Sequence, residues 1–303
     1  MIAALFPGQN SQVVGMAQDF YENSAAARRV LDEAEAALPG LLELMWQGSE
    51  DALKLTANQQ PALVAAGAAA FAAYQEAGGA VPTYVAGHSL GEFTAHVAAR
   101  SLALSDAVKL VRKRGEFMQD AVPEGVGAMA AILKTGREHV EQVCSEADGI
   151  VEIANLNAPE QTVISGEAEA VAAAGERLKG EGARVVFLNV SAPFHCSLME
   201  PAAQKLAQEL ATISFAQPQL KLVCNVTADV LENVEDSPSL LKRQVTAPVR
   251  WVESVTRLHD LGVTRFVEFG SGKVLTGLVG RILGKGEVEA MAVTDMASLR
   301  EAL

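Results

Sequence analysis

Cysteine and basic charge are scarce in this chain of 303 residues. The three cysteines, Cys144, Cys196 and Cys224, form no Cys-x-x-Cys pair. That spacing excludes a disulfide framework and a zinc knuckle, and it points to reduced thiols in a cytoplasmic protein. Lys and Arg number 24 against 37 Asp and Glu, for a formal net charge of -13. Broad binding to nucleic acid or to an anionic membrane needs a positive field, so both are excluded as partners. A bilayer-spanning run is missing too: the longest weakly polar stretch, Pro61 to Tyr74, is about 14 residues and suits a buried helix. Met1 to Pro7 has no basic start and no sustained apolar core, so no signal peptide is expected. Cofactor motifs are equally lacking. No Gly-x-Gly-x-x-Gly follows the first strand and there is no His-Glu-x-x-His. Gly270-x-Gly272-Lys273 has Val267 and Val274 where a P-loop needs glycine and Ser/Thr. Neither a bound cofactor nor a metal is expected.

What is present is the composition of a globular enzyme, 50% hydrophobic and 20% charged, long enough for one large α/β domain or two unequal pieces. Ile2 to Phe6 reads as a buried strand ending in the loop Pro7 to Gln12. Helical patterns follow over Ser24 to Leu38 and Asn58 to Gly78. Thr83 to Ala86 is a second strand, with a helix over Glu92 to Ala99. Ser105 is placed to cap a helix over Asp106 to Ala121, which stops at Pro123-Glu124-Gly125. The rhythm then changes. Strand (Ala128 to Leu133), helix (Arg137 to Ala147), strands (Val151 to Asn155, Thr162 to Ser165), helix (Glu167 to Lys179) and strand (Arg184 to Val190) give a βαββαβ order, that of a ferredoxin-like subdomain. The division expected is a core of 1–125 and 193–303 with an insert of 126–192. After the insert, helix Ser197 to Leu210, strand Leu220 to Asn225, helices Ser239 to Gln244 and Val249 to Leu261, and strand Arg265 to Phe269 resume the alternation of a parallel sheet.

Chemistry concentrates at Gly87-x-Ser89-x-Gly91. Between a strand and a helix this pattern makes a nucleophile elbow that exposes the serine Oγ; the plainer reading is a tight turn whose serine caps the helix. A serine nucleophile needs a base, and there are five histidines. His139 falls on a solvated face, His259 at the edge of a core face, His96 points away from the elbow, and His88 packs or bonds locally. His195 follows the rigid exit Ser191 to Phe194 in a short connection, before a Ser197-x-x-Glu200 capping box. Functional residues gather at such element ends, and a nearby helix N-terminus favours the neutral imidazole; a surface-loop histidine is the alternative. Arg114 lies at i+7 from Ala107, on the apolar stripe of its helix, while Lys109, Arg112 and Lys113 lie off it. A buried arginine needs a partner: a protein carboxylate, a helix C-terminus, or a substrate carboxylate gripped by the guanidinium fork.

Phe6-Pro7-Gly8-Gln9-Asn10-Ser11-Gln12, Gln60-Pro61-Ala62-Leu63, Gly87-His88-Ser89-Leu90-Gly91-Glu92, Arg114-Gly115, Pro193-Phe194-His195 and Gly272-Lys273-Val274-Leu275 together resemble the malonyl-CoA:acyl carrier protein transacylase family, in its free-standing bacterial form. The resemblance runs in order over nearly the whole chain. It implies an α/β-hydrolase-like core with a ferredoxin-like insert, and ping-pong transfer of malonyl from coenzyme A to the phosphopantetheine thiol of acyl carrier protein for fatty-acid biosynthesis. It further implies Ser89 as nucleophile and His195 as base, an oxyanion hole of the Gln9 and Leu90 N–H groups, and Arg114 for the malonyl carboxylate. The Gln244 carbonyl would orient the imidazole, with Met118 and Phe194 lining the acyl pocket. Malonyl-CoA would be the thioester substrate, acyl carrier protein the partner, and the enzyme a monomer. Other readings on the same architecture are a serine thioesterase or hydrolase, an acyltransferase of a polyketide pathway, and a non-catalytic carrier-binding module. Asn10 stands where the family has glycine, and asparagine tolerates the left-handed conformation best; Arg100 replaces another glycine and Ser271 a proline. Lys109, Arg112, Lys113, Lys179, Arg184, Lys242 and Arg243 are candidates for a positive rim facing anionic substrates.

Overall fold

The computed structural model describes residues 1–123, 125–190 and 192–303. Glu124 of the expected boundary and Ser191 of the expected exit before His195 lie outside them.

Short apolar runs become strands, and Ile2–Phe6, Tyr84–Gly87 and Arg265–Phe269 are buried on both faces, as the centre of a parallel sheet requires. The strands are β1 (Ile2–Phe6), β2 (Tyr84–Gly87), β3 (Gly127–Leu133), β4 (Val151–Ala158), β5 (Gln161–Glu167), β6 (Arg184–Phe187), β7 (Lys221–Val223), β8 (Arg265–Phe269) and β9 (Glu289–Val293). Five form an all-parallel sheet in the order β7-β2-β1-β8-β9. Leaving β1 the chain pairs next on one side with β2 and only much later, through β8, on the other. The strand order therefore reverses at β1, and in such sheets the crevice at the carboxyl ends of the strands is where ligands bind. Phe6 stands opposite Gly87, so the loops leaving β1 and β2 emerge side by side at that crevice.

The alanine-rich run lies within the helix Thr56–Glu76, buried along most of its length, and among the described residues no helix is long and apolar enough to cross a membrane. Arg114 lies in the helix Leu104–Gln119, on the face that also buries Ala107, Leu110, Val111 and Met118.

The remaining four strands form an antiparallel sheet, β4-β5-β3-β6. The helices Arg137–Ser145 and Ala168–Gly180 bury Val140, Val143, Val171 and Leu178 against it, in a cluster separate from those around the parallel sheet. This is the order of the ferredoxin-like arrangement. An ion pair between Arg137 and Glu253 at 2.8 Å and a bridge between Asn155 and Val249 tie this sheet to the rest.

Several local expectations change. The helix carrying Arg114 starts at Leu104 after Ala103, so Ser105 is not its cap. The Ser197–Glu200 capping box does not form: residues Ser197–Met199 make a 3₁₀ turn before the helix Glu200–Leu210. The Ser197 N–H and hydroxyl donate instead to Glu152 of β4, at 2.8 and 2.7 Å. A real capping box stands at Asp295 and Ser298, before the C-terminal helix Met296–Ala302. Strand β6 stops at Phe187 rather than Val190, and Leu188 bonds Met129 from outside the strand. The helices Gln18–Asn23, Leu41–Gln47, Glu50–Lys54 and Val274–Leu283, and strand β9, lie in stretches where the periodicity gave no element.

Candidate active site

Ser89 sits where β2 turns into the helix Gly91–Ala98, with φ of 51°. That left-handed conformation is strained for serine and persists only when its surroundings impose it. Two glycines allow the turn. A Cβ at Gly87 would meet the Gly91 carbonyl at 1.9 Å, and one at Gly91 would meet the Phe6 oxygen at 2.0 Å. Asn225, just past β7, then braces it: its Oδ1 accepts from the Ser89 N–H at 2.7 Å and its Nδ2 donates to the Gly87 carbonyl at 2.6 Å.

The serine hydroxyl meets His195 Nε2 at 2.8 Å, while Nδ1 lies 2.8 Å from the main-chain oxygen of Gln244. A carbonyl can only accept, so Nδ1 carries the ring proton and Nε2 is left to accept from Ser89. Burial first, and the charge of Arg114 second, push the imidazole down to about 3. The neutral form is thus maintained by desolvation first and by a cation second. Gln244 comes from the last turn of the helix Ser237–Gln244, and His195 itself is left-handed, with φ of 60°.

Arg114 is 0% exposed. Nη1 donates to Gln60 Oε1 at 2.9 Å; Nη2 donates to Gln244 Oε1 at 3.0 Å and to Ser89 Oγ at 3.2 Å. Among the described residues Nε–H has no partner and no carboxylate lies within ion-pair distance of the guanidinium; the buried Glu92 favours its charge from farther off. Of the partners open to a buried arginine, the direct ones found are thus carboxamide and hydroxyl oxygens, with a protein carboxylate, Glu92, acting only through its charge. A cation with an orphaned N–H, in contact with the serine oxygen, is a seat for an incoming anion.

The loop leaving β1 packs on the elbow. The His88 N–H donates to the Phe6 carbonyl at 3.0 Å, and a Cβ at Gly8 would meet the His88 oxygen at 2.6 Å. Asn10 is left-handed at φ of 69°, and Arg100 likewise at 57°, which accounts for the glycines of the resembling pattern at both positions. Neither the Gln9 nor the Leu90 N–H donates to another described residue, so both remain available to an oxyanion. Met118, Phe194, Leu90 and Phe93 share one buried cluster.

The other histidines serve the fold. His88 bonds Asn157 of β4 at 2.7 Å, a non-local partner rather than the local one expected. His96 bonds Ser101 at 3.2 Å, and His139 pairs with Glu181 at 2.7 Å. His259 is exposed, not at a core edge, since the helix Trp251–Asp260 buries Trp251, Ser254, Val255 and Leu258. Among the rim candidates Arg112, Lys113 and Lys179 pair with Glu116, Glu209 and Glu176. Lys109, Arg184, Lys242 and Arg243 pair with no carboxylate among the described residues.

Sequence reasoning assigned no role to Gln60, Glu92 or Asn225. Glu92 is 1% exposed; its Oε2 accepts from Gln244 Nε2 at 2.6 Å and from the Asn225 N–H at 3.1 Å. Burial raises its carboxyl to about 7. The usable signals were the position of Gln60 and Glu92 inside the motifs and that of Asn225 at the carboxyl end of a parallel strand.

A serine on a strand-to-helix elbow, bonded to a neutral histidine at the switch point of a parallel sheet, is the arrangement of enzymes that carry an acyl group on serine. The acyl transferase domain family model matches residues 4–297, and the chain belongs to that family. It is 45% identical to the malonyl CoA-acyl carrier protein transacylase of Bacillus subtilis (strain 168), covering 100% of this chain and 96% of that protein. The crystal structure of the acyl-carrier-protein S-malonyltransferase from Burkholderia pseudomallei 1710b superposes with a TM-score of 0.95 at 46% identity, over 99% of this chain and 98% of that one. A malonyl-transacylase solved in complex with its holo type II PKS acyl-carrier protein superposes with a TM-score of 0.96 at 43% identity, over 100% and 98%.

Proposed function

We propose that the protein transfers a malonyl group from malonyl-CoA to the phosphopantetheine thiol of acyl carrier protein, through a malonyl ester on Ser89, and so supplies fatty-acid biosynthesis. The observation that carries this reading is Arg114: a buried cation without a carboxylate partner, 3.2 Å from the serine oxygen, suits an acyl group that ends in its own carboxylate. A simple ester or an acetyl group would leave it unanswered.

In the first half-reaction the Ser89 proton passes to His195 Nε2 as Oγ attacks the thioester carbon. The oxyanion forms beside the Gln9 and Leu90 N–H groups. Collapse breaks the C–S bond, and the departing thiolate takes the proton from Nε2. In the second half the carrier thiol gives its proton to Nε2, sulfur attacks the ester, and the serine oxygen leaves and recovers the proton. The balance closes with the two thiols alone, so the chemistry calls for no cofactor. Arg114 holds the malonyl carboxylate throughout, and Met118 and Phe194 line the acyl pocket. Residues 126–192 form the insert and 1–125 with 193–303 the catalytic core. The enzyme acts as a monomer in this reading, and the three free thiols support a cytoplasmic location.

The test is intact mass after incubation with malonyl-CoA, then with holo acyl carrier protein. A malonyl adduct that passes to the carrier, and is absent in Ser89→Ala, is the expected result. No adduct, or one lost only to water, refutes the reading.

A further inference from the structure

Gln244 meets the site through three groups. Its main-chain oxygen accepts from His195, its Oε1 accepts from Arg114, and its Nε2 donates to the Ser89 carbonyl at 3.0 Å. The carboxamide has two ends of nearly equal shape, and a flip would turn the NH2 group toward the guanidinium, donor against donor. Two acceptors at the far end decide between the orientations, the Ser89 carbonyl and the Glu92 carboxylate. Glu92 places a carboxylate oxygen 2.6 Å from Nε2, and a carboxylate accepts hydrogen bonds from an NH2 group but repels a carbonyl oxygen.

We propose that Glu92 is a positioning residue for Arg114, acting through the Gln244 carboxamide: with the Ser89 carbonyl it holds the amide nitrogen away from the arginine, so that Arg114 is held by the carboxamide oxygens of Gln60 and Gln244. The consequence lies in how Arg114 is anchored. Two neutral oxygens fix the guanidinium without neutralising it, whereas a protein carboxylate in the same place would occupy the fork the substrate needs. Glu92 supplies the orientation from one residue away. Its Oε2 also accepts the Asn225 N–H at 3.1 Å, and Asn225 braces the Ser89 turn, so one buried oxygen registers both sides of the nucleophile. Glu92 also acts on Arg114 through its charge, since each favours the ionised form of the other, and the variants below separate that contribution from the orienting one. The inference rests on the malonyl-transfer reading above and assigns that site a further specificity residue.

Two conservative variants separate reach from charge. Glu92→Asp keeps the charge and withdraws the oxygen by one carbon; Glu92→Gln keeps the reach and an acceptor oxygen but loses the charge. The measurement is the ratio of kcat/KM for Ser89 acylation by malonyl-CoA to that by acetyl-CoA, which presents no carboxylate to Arg114. The ratio is expected to fall about tenfold in Glu92→Asp, the scale of one hydrogen bond to a charged group, and to stay within about threefold of wild type in Glu92→Gln. A ratio that falls in Glu92→Gln and holds in Glu92→Asp would make Glu92 a counter-charge and overturn the proposal. So would an unchanged ratio in both, the mark of a purely structural role. If Glu92→Asp does not fold, Glu92→Ala, which removes the oxygens altogether, takes its place and is read by the same criterion. Wild-type enzyme that forms no malonyl adduct would refute the functional reading instead, before any variant is compared.

Discussion

Replacing Arg114 by methionine tests the functional reading most directly, because the change preserves much of the buried volume while removing charge and donors. Two losses are expected. The first is common to every acyl substrate: the oxygens of Gln60 and Gln244 lose their donor, at about 1–3 kcal/mol for each buried acceptor left unsatisfied, and Ser89 loses the 3.2 Å contact. The second belongs to malonyl alone. A substrate carboxylate facing a buried guanidinium that makes no direct ion pair with the protein loses about 3–5 kcal/mol when that partner is removed. At 1.36 kcal/mol per factor of ten, this is roughly a hundred- to several-thousand-fold in kcat/KM. Acylation by acetyl-CoA measures the common loss, so the malonyl-to-acetyl ratio isolates the second. It should fall by about two orders of magnitude or more in single-turnover acylation followed by mass spectrometry. Equal losses for the two thioesters would show that Arg114 only supports the fold, and the assignment of a carboxylated acyl group would fail.

Two further predictions concern the base and the elbow. An ordinary histidine base would lose activity below pH 6.5. His195, pushed down to about 3, is neutral through this range, so its protonation should produce no fall in kcat/KM for acylation between pH 8 and 5. Any inflection near pH 7 should belong to Glu92, raised to about 7, and vanish in Glu92→Gln; an acid limb near 6.5 that survives in Glu92→Gln would refute the desolvation argument. Gly91→Ala puts a methyl 2.0 Å from the Phe6 oxygen. Since that contact is backbone at the centre of the parallel sheet, it should destabilise the protein by about 3 kcal/mol or more in urea unfolding. A near-neutral result would mean that the elbow tolerates more rearrangement than its packing indicates.

The motifs were legible because each rests on local chemistry. Gly87 and Gly91 are demanded by a turn that their neighbours in sequence make. Asn10 could be read as left-handed from its residue type, and Arg114 as buried from its register with Ala107 and Met118. The βαββαβ order was legible for the same reason, since strand and helix periods are properties of short windows. Local reading failed where another element competed for the same groups. Ser197 and Glu200 have the spacing of a capping box, yet Glu152, distant in sequence, takes both Ser197 donors. His259 has the spacing of a core position, yet its helix buries the adjacent face.

Ser89, His195 and Arg114, their chemical types and the acidic surface against which anionic substrates must bind are determined by the sequence alone. Tertiary structure decided how those groups act. Only the fold brings a serine from β2, a histidine following β6, an arginine from the helix Leu104–Gln119 and a glutamine from the helix Ser237–Gln244 within hydrogen-bond distance at the switch point of one sheet. It is their shared burial that keeps the imidazole neutral, and the fold that leaves Arg114 with no carboxylate within ion-pair distance among the described residues while the buried Glu92 favours its charge from farther off. Desolvation depends on what surrounds a group from every direction, and a chain read residue by residue does not contain that information.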